Sequence, residues 1–167
     1  MAYQKLQVSS ASIVIPSNTV NIPTPDGPTI ETAVDTTGPN NEVLMDDTTF
    51  TDDPLLKRGA TIINTTDLTI GTIEKIVGPG VVEVDAAFYG SLAAGKGIAI
   101  YPLPNFNAQQ GCIIYVGDTS GGGDVHVLTC GGTEVVYKNV PQGSFLPVQV
   151  LRVNTSLTTA QSLIANW

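Results

Sequence analysis

The sequence predicts an all-β protein with an extended N-terminal arm and loop over residues 1–53, a small barrel-like β unit over 54–104 and a β-sandwich or barrel unit over 105–167. Three observations predict it. Thr, Val and Ile supply 52 of the 167 residues, and such β-branched side chains lose χ1 freedom in a helix but pack well on a pleated, half-buried surface. Short apolar segments recur between Gly-, Pro- and Asn-rich turns at a spacing of roughly ten residues, the pattern of sandwiches and barrels. No helical periodicity runs beyond one turn.

The elements follow in order. Residues 3–30 alternate apolar and polar positions loosely, through Leu6, Val8, Ile13, Ile15, Val20 and Ile22, and are interrupted by Pro16, Pro23, Pro25 and Pro28. Each proline removes a ladder donor, so an extended arm with one or two edge strands is expected rather than a central strand. Such an arm buries little of itself and should lie on the rest of the chain or on a neighbouring subunit. Residues 35–53 hold six acidic side chains together with Gly38, Pro39, Asn40 and Asn41, and read as a loop. Asp53-Pro54 has the form of an N-cap followed by proline at the first helical position, with Gly59 closing a single helical turn over 55–58.

Strands are expected at 60–64, 70–77, 81–86 and 98–101, with turns at Thr65-Thr66-Asp67 and Gly78-Pro79-Gly80. Four strands in so short a span suggest a barrel or curled sheet, which removes exposed edges. Residues 102–110 have no periodicity and read as a linker. Further strands are expected at 112–117, 125–130, 133–138, 145–153 and 162–167. A hairpin centred on Gly121 would set Cys112 opposite Cys130, Ile114 opposite Leu128 and Val116 opposite His126, all on one face.

Charge narrows the function. Charged residues are 13% of the chain, against about 25% in an ordinary soluble domain, so the surface is mostly uncharged and polar. Seven basic against fifteen acidic residues give a net charge of −8, which repels phosphate backbones and anionic headgroups and argues against nucleic-acid and membrane partners. No stretch approaches the roughly 18 apolar residues of a spanning helix, and residues 1–12 lack the charged lead and apolar block of a secretion signal. The expectation is a soluble chain made in a cytoplasm.

The chemical constellations are thin. His126 is the single histidine; with Asp124 two residues away and serines nearby a catalytic triad is conceivable, but a satisfied strand histidine is the favoured reading. Cys112 and Cys130 lack the spacing and companions of a zinc site. A cross-strand disulfide is one outcome and buried thiols the expected one. Asp46, Asp47, Asp52 and Asp53 could collect Ca²⁺ on a loop, against a solvated acidic loop as the plain reading. Gly121-Gly122-Gly123 lacks the lysine and helix start of a phosphate cradle and reads as a hairpin loop. Trp167 either completes the core of the last β unit or anchors a subunit contact. No catalytic residue, cofactor or metal site is expected, and the enzyme reading has little support.

Several blocks resemble a known family. Gly111-Cys112-Ile113-Ile114-Tyr115-Val116-Gly117, Gly123-Asp124-Val125-His126-Val127, Gly131-Gly132-Thr133-Glu134-Val135, Asn139-Val140-Pro141-Gln142-Gly143, Leu146-Pro147-Val148-Gln149-Val150, Arg152-Val153 and Thr158-Thr159-Ala160 together resemble a β domain in virion structural proteins of tailed phages. The stretch is similar to those of marine cyanophages and to the head spike base protein of gene transfer agents. Residues 60–101, especially Asn64-Thr65-Thr66-Asp67, more weakly resemble the small β unit that precedes that domain. The three-glycine loop and Cys130 depart from the pattern. The resemblance implies a particle component without catalytic residues: a capsid decoration, cement or head spike-base protein on the virion surface, assembled in the host cytoplasm. Its expected partners are the major capsid protein or other virion proteins and copies of itself, as a trimer or pentamer. The expected partner-binding residues are Leu6, Val8, Ile13, Ile15, Val20, Ile22 and Trp167. A tail, collar or baseplate position stays open, as does a carbohydrate-binding adhesin using Tyr89 or Phe106.

Overall fold

The computed structural model describes residues 10–23, 28, 30–45, 57–101, 111–117 and 121–167. The chain divides into two units, one joining residues 1–25 to 106–167 and the other comprising 26–105. It is all-β, as the composition predicts, with a single four-residue helical turn among the described residues.

In the 26–105 unit six strands close a barrel: β2 (Ile30–Thr37), β3 (Glu42–Met45), β4 (Thr61–Asn64), β5 (Thr69–Gly78), β6 (Val81–Val84) and β7 (Gly97–Tyr101), ordered β2-β3-β6-β5-β4-β7. Closure depends on two strands that each serve two neighbours. The first half of β2 pairs with β7, from Ile30 opposite Ile100 to Ala33 opposite Gly97, and its second half pairs with β3, with a register shift between Val34 and Thr36. β5 pairs with β4 through Thr72 and with β6 from Ile73 onward, again with register shifts. Such bulges bend a strand and increase its twist, which carries a sheet round on itself.

The barrel strands β2 and β3 correct the sequence reading, which left residues 30–45 in an arm and acidic loop. Val34 and Val43 are buried in the barrel core, while Glu31 and Asp35 lie on the exposed side of the pleat. Asp35, one of the acidic residues that suggested a loop, belongs with Glu31 to the outward half of an alternation. Asn40 and Asn41, both at positive φ, form the hairpin turn between the two strands, a conformation that asparagine tolerates better than other side chains with a Cβ.

The helical turn, α1 (Ala86–Tyr89), follows β6 where the sequence suggested a strand end and loop. Asp85 caps it by accepting from the Phe88 N–H at 2.9 Å, while its other oxygen accepts from the Thr72 N–H of β5 at 2.7 Å. The cap therefore ties the turn to the barrel wall and places Phe88 in the core, where it is 2% exposed. Gly71 makes room for it: a Cβ there would collide with the Phe88 ring stem and the Asp85 carboxylate. The expected turn at 55–58 falls largely outside the described residues, although Gly59, at positive φ, does occupy a turn.

The other unit is two antiparallel three-stranded sheets around one core. One sheet is β1 (Ala11–Ile13), β12 (Leu163–Asn166) and β8 (Ile113–Val116), in the order β1-β12-β8; the other is β10 (Glu134–Pro141), β9 (Gly122–Thr129) and β11 (Val150–Val153), in the order β10-β9-β11. The predicted 112–117/125–130 hairpin does not form. β8 pairs instead with β12 and through single bridges with Phe145 and Val150, while β9 sits between β10 and β11. Cys112 thus faces Val150, and Ile114 and Val116 meet β12 rather than Leu128 and His126. A glycine-rich loop can change sheets as readily as reverse a hairpin, and sequence alone does not separate the two.

Residues 10–23 belong to this unit rather than forming a separate arm. Val14 donates to Leu163 O at 2.9 Å on one sheet; past Pro16, Ser17 donates to Val153 O at 2.9 Å and Ile22 to Leu151 O at 2.8 Å on the other. Val14 and Val20 are buried, and Ile22 and Trp167 pack against the core to which Val14 belongs. The prolines are tolerated because the segment hydrogen-bonds intermittently and changes sheets where Pro16 stands.

Replacing Phe88 by Ala is expected to cost about 3–5 kcal/mol through the cavity it leaves, and Gly71→Ala about 1–3 kcal/mol through overpacking against the same ring, both measured by calorimetric or urea unfolding. Removing the residues up to 22 is expected to abolish the cooperative transition of the two-sheet unit, whereas a dispensable arm would leave its melting temperature unchanged.

Candidate interaction surface

Hydrogen-bond phase decides which side chains of β1, β12 and β8 face outward. Ser10 and Trp167 exchange both backbone bonds, at 3.4 and 3.0 Å, so residues 10, 12 and 14 turn their backbone groups toward β12 while Ala11 and Ile13 turn theirs to the opposite edge. Leu163, Ala165, Ile114, Val116 and Val14 point into the core. The alternate residues form a cross-strand row on the outer face: Ile13 opposite Ile164, Ile164 opposite Tyr115, and Tyr115 opposite Phe145. Ile13 is 63% and Phe145 52% exposed. The Tyr115 and Phe145 rings lie 5.1 Å apart at an interplanar angle of 52°, within the range of favourable tilted aromatic pairs. Ala11, Asn166 and Ile113 form the neighbouring row.

Charge is segregated between the two sheets. Among the described residues of this unit every Asp, Glu, Lys, Arg and His lies on β9, β10 or β11: Asp124, His126, Glu134, Lys138 and Arg152. The strands β1, β12 and β8, and residues 143–148 beside them, carry none. In a chain of net charge −8 this leaves an apolar, uncharged face that repels no acidic partner.

The charged sheet holds the His126 cluster. His126 Nδ1 is 2.9 Å from Ser156 O, a carbonyl, so Nδ1 carries the proton and Nε2 accepts from Asn154 Nδ2 at 3.2 Å. Asn154, 3% exposed, also accepts from Arg152 Nε at 2.8 Å, and Arg152 reaches Glu134 at 3.3 Å. Asp124 faces elsewhere, accepting from Lys138 at 2.7 Å and the Asn139 N–H at 2.9 Å, and Ser156 Oγ bonds to Asn18. The conceived triad is therefore not assembled: both ring nitrogens are committed to a carbonyl and an amide, and the cluster pins residues 154–160 against the sheet.

The remaining candidates separate cleanly. Leu6, Val8, Asp46, Asp47, Asp52, Asp53 and Phe106 lie outside the described residues. Of the proposed partner-binding residues, Val20, Ile22 and Trp167 serve the core, Ile15 is half-buried, and Ile13 is the one displayed at the surface. Trp167 is held by the Ser10 pairing rather than left at a fraying end. Tyr89 packs on the barrel core and donates its hydroxyl to Gly38 O at 2.6 Å, so its ring is not an open sugar platform. Gly122 lies at positive φ where a Cβ would strike Val140 O, which accounts for part of the glycine triplet. Among the described residues no three His, Cys, Asp or Glu side chains gather as a metal site, and no helix is long and apolar enough to cross a membrane.

The sequence reading missed Tyr115, Phe145 and Ile164 as surface residues because the face that a strand residue takes depends on its register. The signal was present as apolar residues on both sides of the pleat in β8 and β12. Compared with family models, with curated proteins and with solved structures, the chain matches none.

Cys112 and Cys130 carry thiols, the first buried and the second exposed. Burial pushes the Cys112 thiol up to about 12, so it stays protonated and unreactive. Iodoacetamide at neutral pH is expected to modify Cys130 alone in the folded chain and both cysteines in denaturant, read by intact mass. Hydrogen bonds from Lys96 to Asp67, and from Lys138 and the Asn139 N–H to Asp124, hold both carboxyls below the ordinary value. Each therefore stabilises the fold above the unfolded aspartate value of about 3.9, and that stabilisation is lost as pH falls through the lower folded value. The melting temperature should drop below about pH 4, less steeply in the Asp67→Asn/Asp124→Asn variant.

Proposed function

We propose that the chain is a structural protein of a tailed-phage virion, a capsid decoration (cement) or head spike-base protein that binds the outer capsid surface, and that its chemistry is binding rather than catalysis. The observation that carries this reading is the uncharged apolar face of the β1-β12-β8 sheet, set on a unit whose charges are confined to the other sheet. A contiguous displayed apolar row, with an aromatic pair at one end, is the kind of surface that gains by being covered. The resemblance of residues 111–167 to phage virion β domains supports the same reading. So does the closed barrel, a rigid unit suited to a particle surface.

In this reading the row Ile13, Ile164, Tyr115 and Phe145 seats on the shell, and the charged sheet faces solvent. Among the described residues of the 1–23 segment, Ile13 is the one that supplies this row.

Quantitative mass spectrometry of purified particles tests the reading. Hundreds of copies per particle indicate shell decoration, and about five to a few dozen indicate a vertex spike or a ring. Particles assembled with the Tyr115→Ser/Phe145→Ser variant are expected to lose most of the bound protein while the variant keeps its melting temperature. Absence of the native chain from particles overturns the proposal.

A further inference from the structure

The barrel interrupts the two-sheet unit in sequence, since residues 26–105 stand between its first 25 residues and residues 106–167. In each unit the two points of interruption are neighbours. Ile30, the first residue of β2, lies opposite Ile100 of β7, so the barrel begins and ends on adjacent strands whose facing Cα atoms are about 5 Å apart. In the other unit Ile22 donates to Leu151 O at 2.8 Å, and Cys112 and Val150 exchange both backbone bonds at 3.0 and 2.8 Å. The chain therefore leaves and re-enters that unit at adjoining residues of β11. Each unit also builds its buried core from its own residues, the barrel from 30–100 and the two sheets from 14 and 112–165.

We infer that the barrel is an autonomous insert: the two-sheet unit keeps its fold and its apolar row when the barrel unfolds, and the barrel keeps its own when the two-sheet unit unfolds. The barrel needs no strand from outside, because the β2-β7 pairing closes it with residues 30–101 alone. The coupling that remains is loop closure. With the barrel folded, the gap from Ile22 to Cys112 is spanned by about 18 residues (23–29 and 101–111) and one strand spacing; with it unfolded, by about 90. The probability of closing a flexible loop falls as roughly the 3/2 power of its length, so a folded barrel favours the two-sheet unit by on the order of tenfold. That is small beside the bias of about 10³ to 10⁸ toward the folded state in ordinary domains, and too small to merge two transitions into one. Attachment to particles, where this rests on the proposed function, then belongs to the two-sheet unit, and a folded barrel is dispensable for it.

Trp167 is the single tryptophan and packs against the two-sheet core, so its fluorescence follows that unit, while calorimetry of the full chain follows both. Phe88→Ala is expected to lower the barrel's calorimetric transition by roughly 15 °C or more. The Trp167 midpoint should move by several degrees at most, the effect of the tenfold loop-closure coupling. Leu146→Ala, in the core of the two sheets, is expected to do the reverse. Should Phe88→Ala leave no barrel transition at all, Trp167 is still expected to melt cooperatively. Ile62→Val, a milder change in the barrel core, should shift the barrel transition by a few degrees and leave the Trp167 midpoint in place. Calorimetric and fluorescence midpoints that stay coincident and move together by the same amount in all these variants overturn the inference. Above the barrel midpoint of the Phe88→Ala chain and below that of Trp167, loading onto particles should match the native chain. Loss of loading there with native Trp167 fluorescence overturns the dispensability of the barrel. Absence of the native chain from particles overturns the virion reading alone and leaves the independence of the two units standing.

Discussion

Every backbone N–H and C=O at the edge of a sheet needs a partner or water, and much of this chain's architecture answers that requirement. The 26–105 unit removes its edges by closure: β2 and β5 are long enough, and bulged at the right points, for one strand to pair with two neighbours in succession. The two-sheet unit has no such long bent strand on its uncharged side. It borrows the first residues of the chain, which cover β12 at residues 10–14 and β11 at residues 17–22. That solution moves the edge outward to β1 rather than removing it.

Closure also creates the problem that α1 solves. A closed six-stranded barrel has an interior to fill, and the turn that carries Phe88 supplies a large apolar side chain to it. The position of that ring depends on a chain of contacts: Asp85 caps the turn and grips β5 at Thr72, and Gly71, next in the strand, supplies the space. At the neighbouring turn Asn64, fully buried, performs a similar service. Its Oδ1 accepts from the N–H groups of Thr66 and Asp67, and its Nδ2 donates to Asp67 and Ser91. A buried amide is tolerable because these bonds replace the water it gives up. The Asn64-Thr65-Thr66-Asp67 block is therefore turn chemistry with a structural purpose.

The two-sheet unit distributes its polarity unevenly, with consequences for what it can bind. Its ions are knit into networks on β9, β10 and β11, where Asp124 meets Lys138 and Arg152 meets Glu134. Its other sheet offers only apolar and uncharged groups. Exposed ion pairs of this type contribute little to stability, but together they keep one face hydrated and leave the opposite face as the one that gains from contact. The His126 cluster belongs to the hydrated side and is satisfied within the chain.

The sequence by itself determined the class of fold and the position of most strands, because β-branched composition and Gly/Pro punctuation are local properties. The strands at 60–64, 70–77 and 98–101 are displaced in the structure by one residue at most at either end. It also determined that no histidine- or cysteine-rich site could form, through the scarcity of those residues. Tertiary structure alone decided which strands neighbour one another. It moved residues 30–45 from loop to barrel wall, turned the expected Cys112/Cys130 hairpin into a crossing between sheets, and laid residues 10–23 of the arm against the two-sheet unit. It likewise decided that Tyr115 and Ile164 face outward while Ile114 and Leu163 face in. The physical reason is the two-residue repeat of the pleat: when both sides of a strand are apolar, the side that is buried is set by the partner strand, and partners are chosen by long-range pairing that no local pattern encodes.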